Sequence, residues 1–307
     1  MENRFSFHDQ IQRNKLRSVF LIIIILFVLM LLGYVIGKAL GPDYFAIVMI
    51  FASLFSILYI WIGYYNSHKI AIASVNAKPA SEKEYREYHH LVEGLSLATG
   101  LPKPKLYVMN DPHINAFASG RNPENAVICV TTGALQRLDK HELEGVLAHE
   151  MAHIANFDIR FMTLTAVLVG MIAIISQIFL RSLWWASLTG GRNRDARANV
   201  VFILIGIILA ILAPIVVMFV QLAISRKREY TADASAVKFV RSPTGLTNAL
   251  KKIQKEHYSP REYIDEKHRI SKAVAPLFIS DPFKRNIQGL FQTHPPLEKR
   301  IAILERM

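Results

Sequence analysis

The sequence predicts a mostly α-helical chain with a small β-sheet, an α+β protein whose soluble parts are tied to four apolar transmembrane helices. Three observations carry this. The chain is 52% hydrophobic over 307 residues, richer than an ordinary soluble domain. Four apolar runs reach the roughly twenty residues that a bilayer-spanning helix needs. Between and after them lie stretches with helical periodicity, capping signals and short β-prone runs. The net charge of +12 falls largely beside the apolar runs, as expected of membrane flanks. No basic-aromatic nucleic-acid motif accompanies it, so lipid and not nucleic acid is the expected partner. The single cysteine, Cys129, permits no intrachain disulfide, which fits a reducing compartment. It lies in an apolar run, Ala126-Val127-Ile128-Cys129-Val130, and reads as a small buried hydrophobe.

In chain order, residues 1–17 form a polar tail carrying Arg4, Arg13, Lys15 and Arg17. Residues 18–37 are almost wholly apolar. They exceed a signal-peptide core and no small-residue cleavage site follows closely, so they read as an uncleaved anchor. A turn at Gly41-Pro42-Asp43 leads into a second span over 44–65, with Tyr59, Trp61, Tyr64 and Tyr65 as an interfacial belt. Residues 18–65 are thus a first membrane hairpin. Residues 66–160 read as soluble. Ser81-Glu82-Lys83-Glu84 resembles a capping box opening a helix with Tyr88, Leu91, Val92 and Leu95, stopped near Gly100. Residues 105–109, 113–118 and 126–131 read as strands, with turn residues Gly120 to Pro123 between the last two.

Residues 161–180 and 199–224 are the third and fourth apolar runs, the latter kinked by Pro214. They make 161–224 a second hairpin. Residues 225–307 are soluble and mostly helical, broken at Pro243, Pro260, Pro276 and Pro282. A last helix starts near Pro295-Pro296 and carries Leu297, Ile301 and Leu304. Residues 254–290 show no clean period. The basic tail favours a cytoplasmic N-terminus, and four crossings return 66–160 and 225–307 to that side. Arg226-Lys227-Arg228 agrees, but residues 181–198, with four arginines, would then lie outside. Either the third and fourth runs stop short of crossing, or stronger signals carry the loop over. Both outcomes keep residues 149–153 and 225–234 on one membrane face.

The candidate chemistry begins at His149-Glu150-Met151-Ala152-His153. Residues four apart on a helix share a face, so two imidazoles can grip one metal ion, and Glu150 beside them can take a proton from water. Asp139 can cap this helix, with Glu142 completing a capping box. Leu143, Val146, Leu147, Met151 and Ile154 recur at helical spacing. Two solvent-facing histidines on an amphipathic helix would give the same pentapeptide. A catalytic zinc takes a third protein ligand and keeps a position open. Glu229 lies just past the fourth apolar run, where a hairpin would bring it level with the metal helix. Asp233, one turn on, can orient a histidine through its second nitrogen. The alternative for both is juxtamembrane charge balancing Arg226 to Arg228.

The combination of H-E-x-x-H with Glu229-x-x-x-Asp233 after an apolar hairpin resembles the M48 family of integral-membrane zinc metalloproteases. Asn115-Ala116-Phe117-Ala118, Val130-Thr131-Thr132-Gly133, residues 149–158, residues 228–233, Thr293-His294-Pro295-Pro296 and Arg300 extend the resemblance over most of the chain. It implies a gluzincin-type zinc protease domain on the cytoplasmic face of the cell (inner) membrane, and a role in degrading misfolded or damaged membrane proteins. It implies one zinc held by His149, His153 and Glu229, with Glu150 as general base, in peptide-bond hydrolysis. Asn115 to Ala118 would be an edge strand receiving extended substrate; the residues alone read equally as an ordinary strand. His294 matches a histidine that donates to the developing oxyanion; the alternative is a cap before Pro295. Asp158 matches a family position without an evident role. Of the rivals, a metal transporter would want ionisable residues inside the spans, and their middles have none. A non-catalytic zinc-stabilised membrane scaffold would close the site with a fourth ligand such as His113, His141 or His294.

Overall fold

The computed structural model describes residues 7–40, 42–165, 206, 226–258, 278–279 and 295–307. Much of the third and fourth apolar runs, the 181–198 loop and His294 therefore lie outside the described residues.

Helices α1 (Phe7–Leu40) and α2 (Pro42–Tyr65) form the expected first hairpin. Small residues set how closely they pack. A Cβ on Gly33 would come within 2.4 Å of the Ala52 Cβ, and one on Gly37 within 3.0 Å of the Phe45 ring. Their outer faces are apolar: Phe20, Phe27, Phe51, Leu54 and Leu58 are all more than half exposed, a surface that suits hydrocarbon rather than water. Among the described residues, Pro42–Tyr65 is the one helix long and apolar enough to cross a membrane, and Ser18–Leu31 is a shorter apolar stretch.

After α3 (Ser67–Ser74), the chain builds one mixed sheet from β1 (Lys78–Pro79), β2 (Lys105–Met109), β3 (Ala116–Ser119) and β4 (Val127–Thr131), in the order β1-β2-β4-β3. The β2–β4 pair is parallel and both outer pairs are antiparallel, so β3 is an edge strand. Helix α4 (Arg86–Thr99) packs Tyr88, Leu91, Val92 and Leu95 into the core and ends on Gly100, whose φ of 70° is a left-handed stop. Its start differs from the sequence expectation. Ser81 leaves a residue already bonded to the sheet (Ala80 N–H to the Leu106 carbonyl), and its own carbonyl accepts from Glu84 and Tyr85 in a turn. The chain must reverse before it can wind, so the helix begins at Arg86 without a side-chain cap. The strand expected over 113–118 likewise begins only at Ala116. Residues 111–115 instead bond to the side chains of Thr131, Thr132 and Asp111.

Helix α5 (Thr132–Arg137) is capped by Thr131, and α6 (Lys140–Ala155) by a full Asp139–Glu142 capping box. Helix α6 is the centre of the fold, with Leu143, Val146, Leu147, Met151 and Ile154 buried beneath the sheet. It is clasped by α7 (Arg226–Val240) and α8 (Thr244–Tyr258), and α9 (Leu297–Leu304) closes the assembly. The α6–α8 crossing requires glycine on both sides. A Cβ on Gly145 would lie 2.3 Å from the Leu246 amide nitrogen, and one on Gly245 2.1 Å from the His141 carbonyl oxygen. Gly145→Ala should therefore force the helices apart and destabilise the protein by about 1–3 kcal/mol. A lower melting temperature in detergent would show this; unchanged melting would contradict it.

Candidate metal centre

Helix α6 presents His149 and His153 one turn apart, and α7 crosses it so that Glu229 meets both. The His149 and His153 Nε2 atoms are 3.2 Å apart. Glu229 carboxylate oxygens lie 3.5 Å from His149 Nε2 and 3.6 Å from His153 Nε2. All three residues are buried. Ligands about 2.0–2.1 Å from a tetrahedral zinc ion lie about 3.3–3.4 Å apart by simple geometry, which is the spacing found.

The nitrogens facing away from this point are anchored. His149 Nδ1 lies 2.9 Å from Asp233 Oδ1, and His153 Nδ1 lies 3.1 Å from Asp158 Oδ2. A carboxylate can only accept, so each Nδ1 carries the proton and each Nε2 turns a lone pair inward. Two lone pairs and a carboxylate converging in a water-poor site repel one another unless a cation or a proton joins them. The donor set therefore fits a divalent metal such as zinc, with imidazole tautomers fixed from behind. Among the described residues this is the one such cluster, and its three ligand atoms lie within 4.8 Å of one another.

Two further residues complete the support. Arg300, on α9 and fully buried, forks onto Asp233 with Nε–Oδ2 2.9 Å and Nη2–Oδ1 2.7 Å. Its Nη2 is also 3.4 Å from His149 Nδ1. Both atoms are donors here, so this is a shared approach to Asp233 Oδ1 and not a hydrogen bond. Arg228 is buried beside Asp158, 4.0 Å from Oδ1, with its guanidinium 4.8 Å from the Phe161 ring centroid. Asp158 reaches His153 because α6 ends at Asn156 and Phe157 adopts a left-handed φ of 58°, turning the chain back before residues 158–165 resume as helix. A bulky residue seldom takes that conformation. The same segment packs Phe161 and Leu164 against Leu21, Ile25 and Val28 of α1, which seats the metal helix directly on the apolar hairpin.

Glu150, next to the two histidines on α6, takes a hydrogen bond from the Ala118 amide of β3. Burial raises its carboxyl pKa, and nearby Glu229 adds to this, against the pull of His149, His153 and the Ala118 amide. Burial also disfavours charge on Asp233, but Arg300 and His149 outweigh it and hold that carboxyl below its usual range. At His149, burial and Arg300 oppose protonation, yet Asp233 and Glu229 prevail and hold its pKa up at about 9 without metal. Zinc must then displace a proton at neutral pH. Affinity should rise by about tenfold per unit from pH 7 and flatten above about 9. Chelator competition across that range checks this, and a flat profile would contradict it.

The structure thus gathers His149, Glu150, His153, Glu229 and Asp233, and sets Ala116, Phe117 and Ala118 on the edge strand above Glu150, with Asn115 just before it. His294 lies outside the described residues. Neither His113 nor His141 joins the cluster: His113 bonds to Asp111 and His141 faces Glu144 at the surface. In the sequence Asp158 has no evident role and Arg300 is only part of a motif. No spacing rule links a carboxylate five residues past His153, or an arginine on the last helix, to the histidines they serve.

The sequence profile of Peptidase family M48 matches residues 82–307. A "Protease HtpX homolog" of Caldanaerobacter subterraneus is 48% identical over 84% of each chain. A "Protease HtpX homolog" of Thermoanaerobacter pseudethanolicus is 42% identical over 97% of each. In three dimensions the chain is similar to the crystal structure of S. mikatae Ste24p, with a TM-score of 0.51 at 20% identity. That match covers 91% of this chain and 62% of the other, and it speaks to the fold alone. The chain belongs to peptidase family M48.

Proposed function

We propose that this protein is a membrane-embedded zinc metalloendopeptidase that hydrolyses peptide bonds in misfolded or damaged membrane proteins. The observation that carries the reading is the convergence of His149 Nε2, His153 Nε2 and the Glu229 carboxylate at tetrahedral-ligand spacing, with Glu150 adjacent. A zinc ion held there supplies Lewis acidity, polarising the scissile carbonyl and making water more acidic. Glu150 takes the water proton and later delivers it to the leaving amine. Its raised pKa suits both directions of transfer, and the Ala118 amide keeps it oriented. Asp233 and Asp158 hold the imidazole tautomers; Arg300 keeps the Asp233 carboxylate charged, and Arg228 lies beside Asp158. The edge of β3 offers backbone partners to an extended substrate, and His294 is the proposed donor to the developing oxyanion.

The membrane reading extends the first hairpin to a second over 161–224, with residues 66–160 and 225–307 meeting on the cytoplasmic face as two parts of one catalytic domain. The apolar outer face of α1 and α2, and the packing of residues 158–165 against α1, support it. Against the zinc-stabilised scaffold, two of the fourth ligands it would use, His113 and His141, point elsewhere. Purified in detergent, the wild type should carry about one zinc per chain and cleave casein. Glu229→Ala, with one of three protein ligands removed, should lose both. Full zinc in that variant would remove Glu229 from the ligand set.

A further inference from the structure

The open edge of β3 is not bare. Strand β4 takes up Asn115, whose carbonyl accepts from the Thr131 amide at 3.1 Å. By the alternation of an antiparallel pair, Ala116 and Ala118 turn their backbone groups the other way. On that side the Ala118 amide serves Glu150, and the Ala116 carbonyl accepts from the Ile279 amide at 2.9 Å. Phe278 forms an isolated antiparallel bridge to Phe117. Their rings meet edge to face, with centroids 4.9 Å apart. Phe278 and Ile279 are only 1% and 2% exposed. The Phe278 ring is buried against Phe117, in one apolar cluster with Met109, Cys129 and Met162. The Ile279 carbonyl lies 3.4 Å from Arg300 Nη1, the side chain that supports the metal centre. A two-residue piece of the chain's own backbone therefore lies on the strand edge, in strand geometry.

An exposed strand edge recruits any extended backbone. A two-residue bridge is a short ladder, and a longer extended peptide can offer the same edge more bonds. We propose that Phe278–Ile279 is an internal placeholder for substrate: it holds the place on β3 that extended polypeptide takes, and the seat of Phe278 is the subsite that then receives a large apolar substrate side chain. The proposal rests on the peptidase function proposed above and adds a selectivity and a built-in brake to it. Substrates would be unfolded segments rich in aromatic and large aliphatic residues, which can both replace the backbone bond and refill the seat.

The test uses the full-length, zinc-loaded protein in detergent. Phe117 and Phe278 face each other as an antiparallel bridge pair, a spacing that suits a disulfide. Phe117→Cys with Phe278→Cys, in a Cys129→Ala background, should lock the segment when oxidised. The locked form should bind a fluorescent extended peptide with a central phenylalanine about tenfold or more weakly than the same protein after phosphine reduction. Phe278→Ala, with the seat vacated, should bind that peptide about tenfold more tightly than wild type. It should also prefer phenylalanine over serine at the central position, with a lower KM and little change in kcat. Equal binding by locked and reduced protein, or weaker binding by a folded, zinc-replete Phe278→Ala, would overturn the proposal. Casein cleavage by the wild type separates the two layers. No cleavage overturns the peptidase function and the placeholder with it, whereas cleavage indifferent to the disulfide overturns the placeholder alone.

Discussion

Glu150→Gln should lower kcat/KM for polypeptide hydrolysis by about 10²–10⁴-fold, the usual contribution of a positioned acid–base group, while zinc content and folding stay near wild type. The glutamine amide fills the same volume and can still accept from the Ala118 amide, so the packing of α6 against β3 survives. What it loses is the ability to carry a proton. Glu150 is placed beside the convergent histidines without being one of the three ligand residues, so the metal set is left whole. A purified variant that cleaves at the wild-type rate would remove Glu150 as the base. One that loses zinc would mean the residue belongs to the ligand set instead.

Arg300→Met should be the most damaging single change away from the ligands. Arg300 is fully buried and its fork neutralises Asp233. Truncation strands a buried carboxylate, and breaking a buried ion pair on one side costs about 3–5 kcal/mol. The chemical consequence follows from the same contact. Without the guanidinium the Asp233 carboxyl pKa rises, and its hold on the His149 tautomer weakens. Zinc affinity should fall by about 10–100-fold, the effect typical of losing a partner behind a ligating histidine. Arg300→Lys restores charge without the fork and should lie between the two. Unfolding in detergent and zinc competition measure both arms. A Met variant with wild-type stability and zinc affinity would contradict the role given to Arg300.

Local signals in the sequence were sufficient wherever one element explains itself. The capping box of α6, the Gly100 stop of α4, the β2 strand and the last helix each follow from residues within one turn of the boundary. The H-E-x-x-H pair is equally local, since helical spacing alone puts His149 and His153 together. Glu229 was reachable from the expectation that the third and fourth apolar runs form a hairpin, whose two ends would return to one level. What lay beyond reach depended on tertiary context. Ser81 could not cap a helix because the preceding residue was already bound to the sheet. The strand over 113–118 started late because Thr131 and Asp111 side chains captured its first residues. Asp158 and Arg300 acquired their roles from a left-handed turn at Phe157 and from the docking of α9. Likewise, Asn115 to Ala118 could be read as an edge strand, but the segment seated on that edge, Phe278–Ile279, lies in a stretch without any periodicity to announce it.

Two imidazoles and one carboxylate, those of His149, His153 and Glu229, are proposed to hold the metal and leave it open for chemistry. Zinc K-edge X-ray absorption on the purified wild-type protein reads that ligand set directly. The expected spectrum shows two histidine nitrogens at about 2.0–2.1 Å, the rest of the shell made up of oxygen, and no sulfur. A third or fourth imidazole in the shell, or a sulfur at about 2.3 Å, would contradict it.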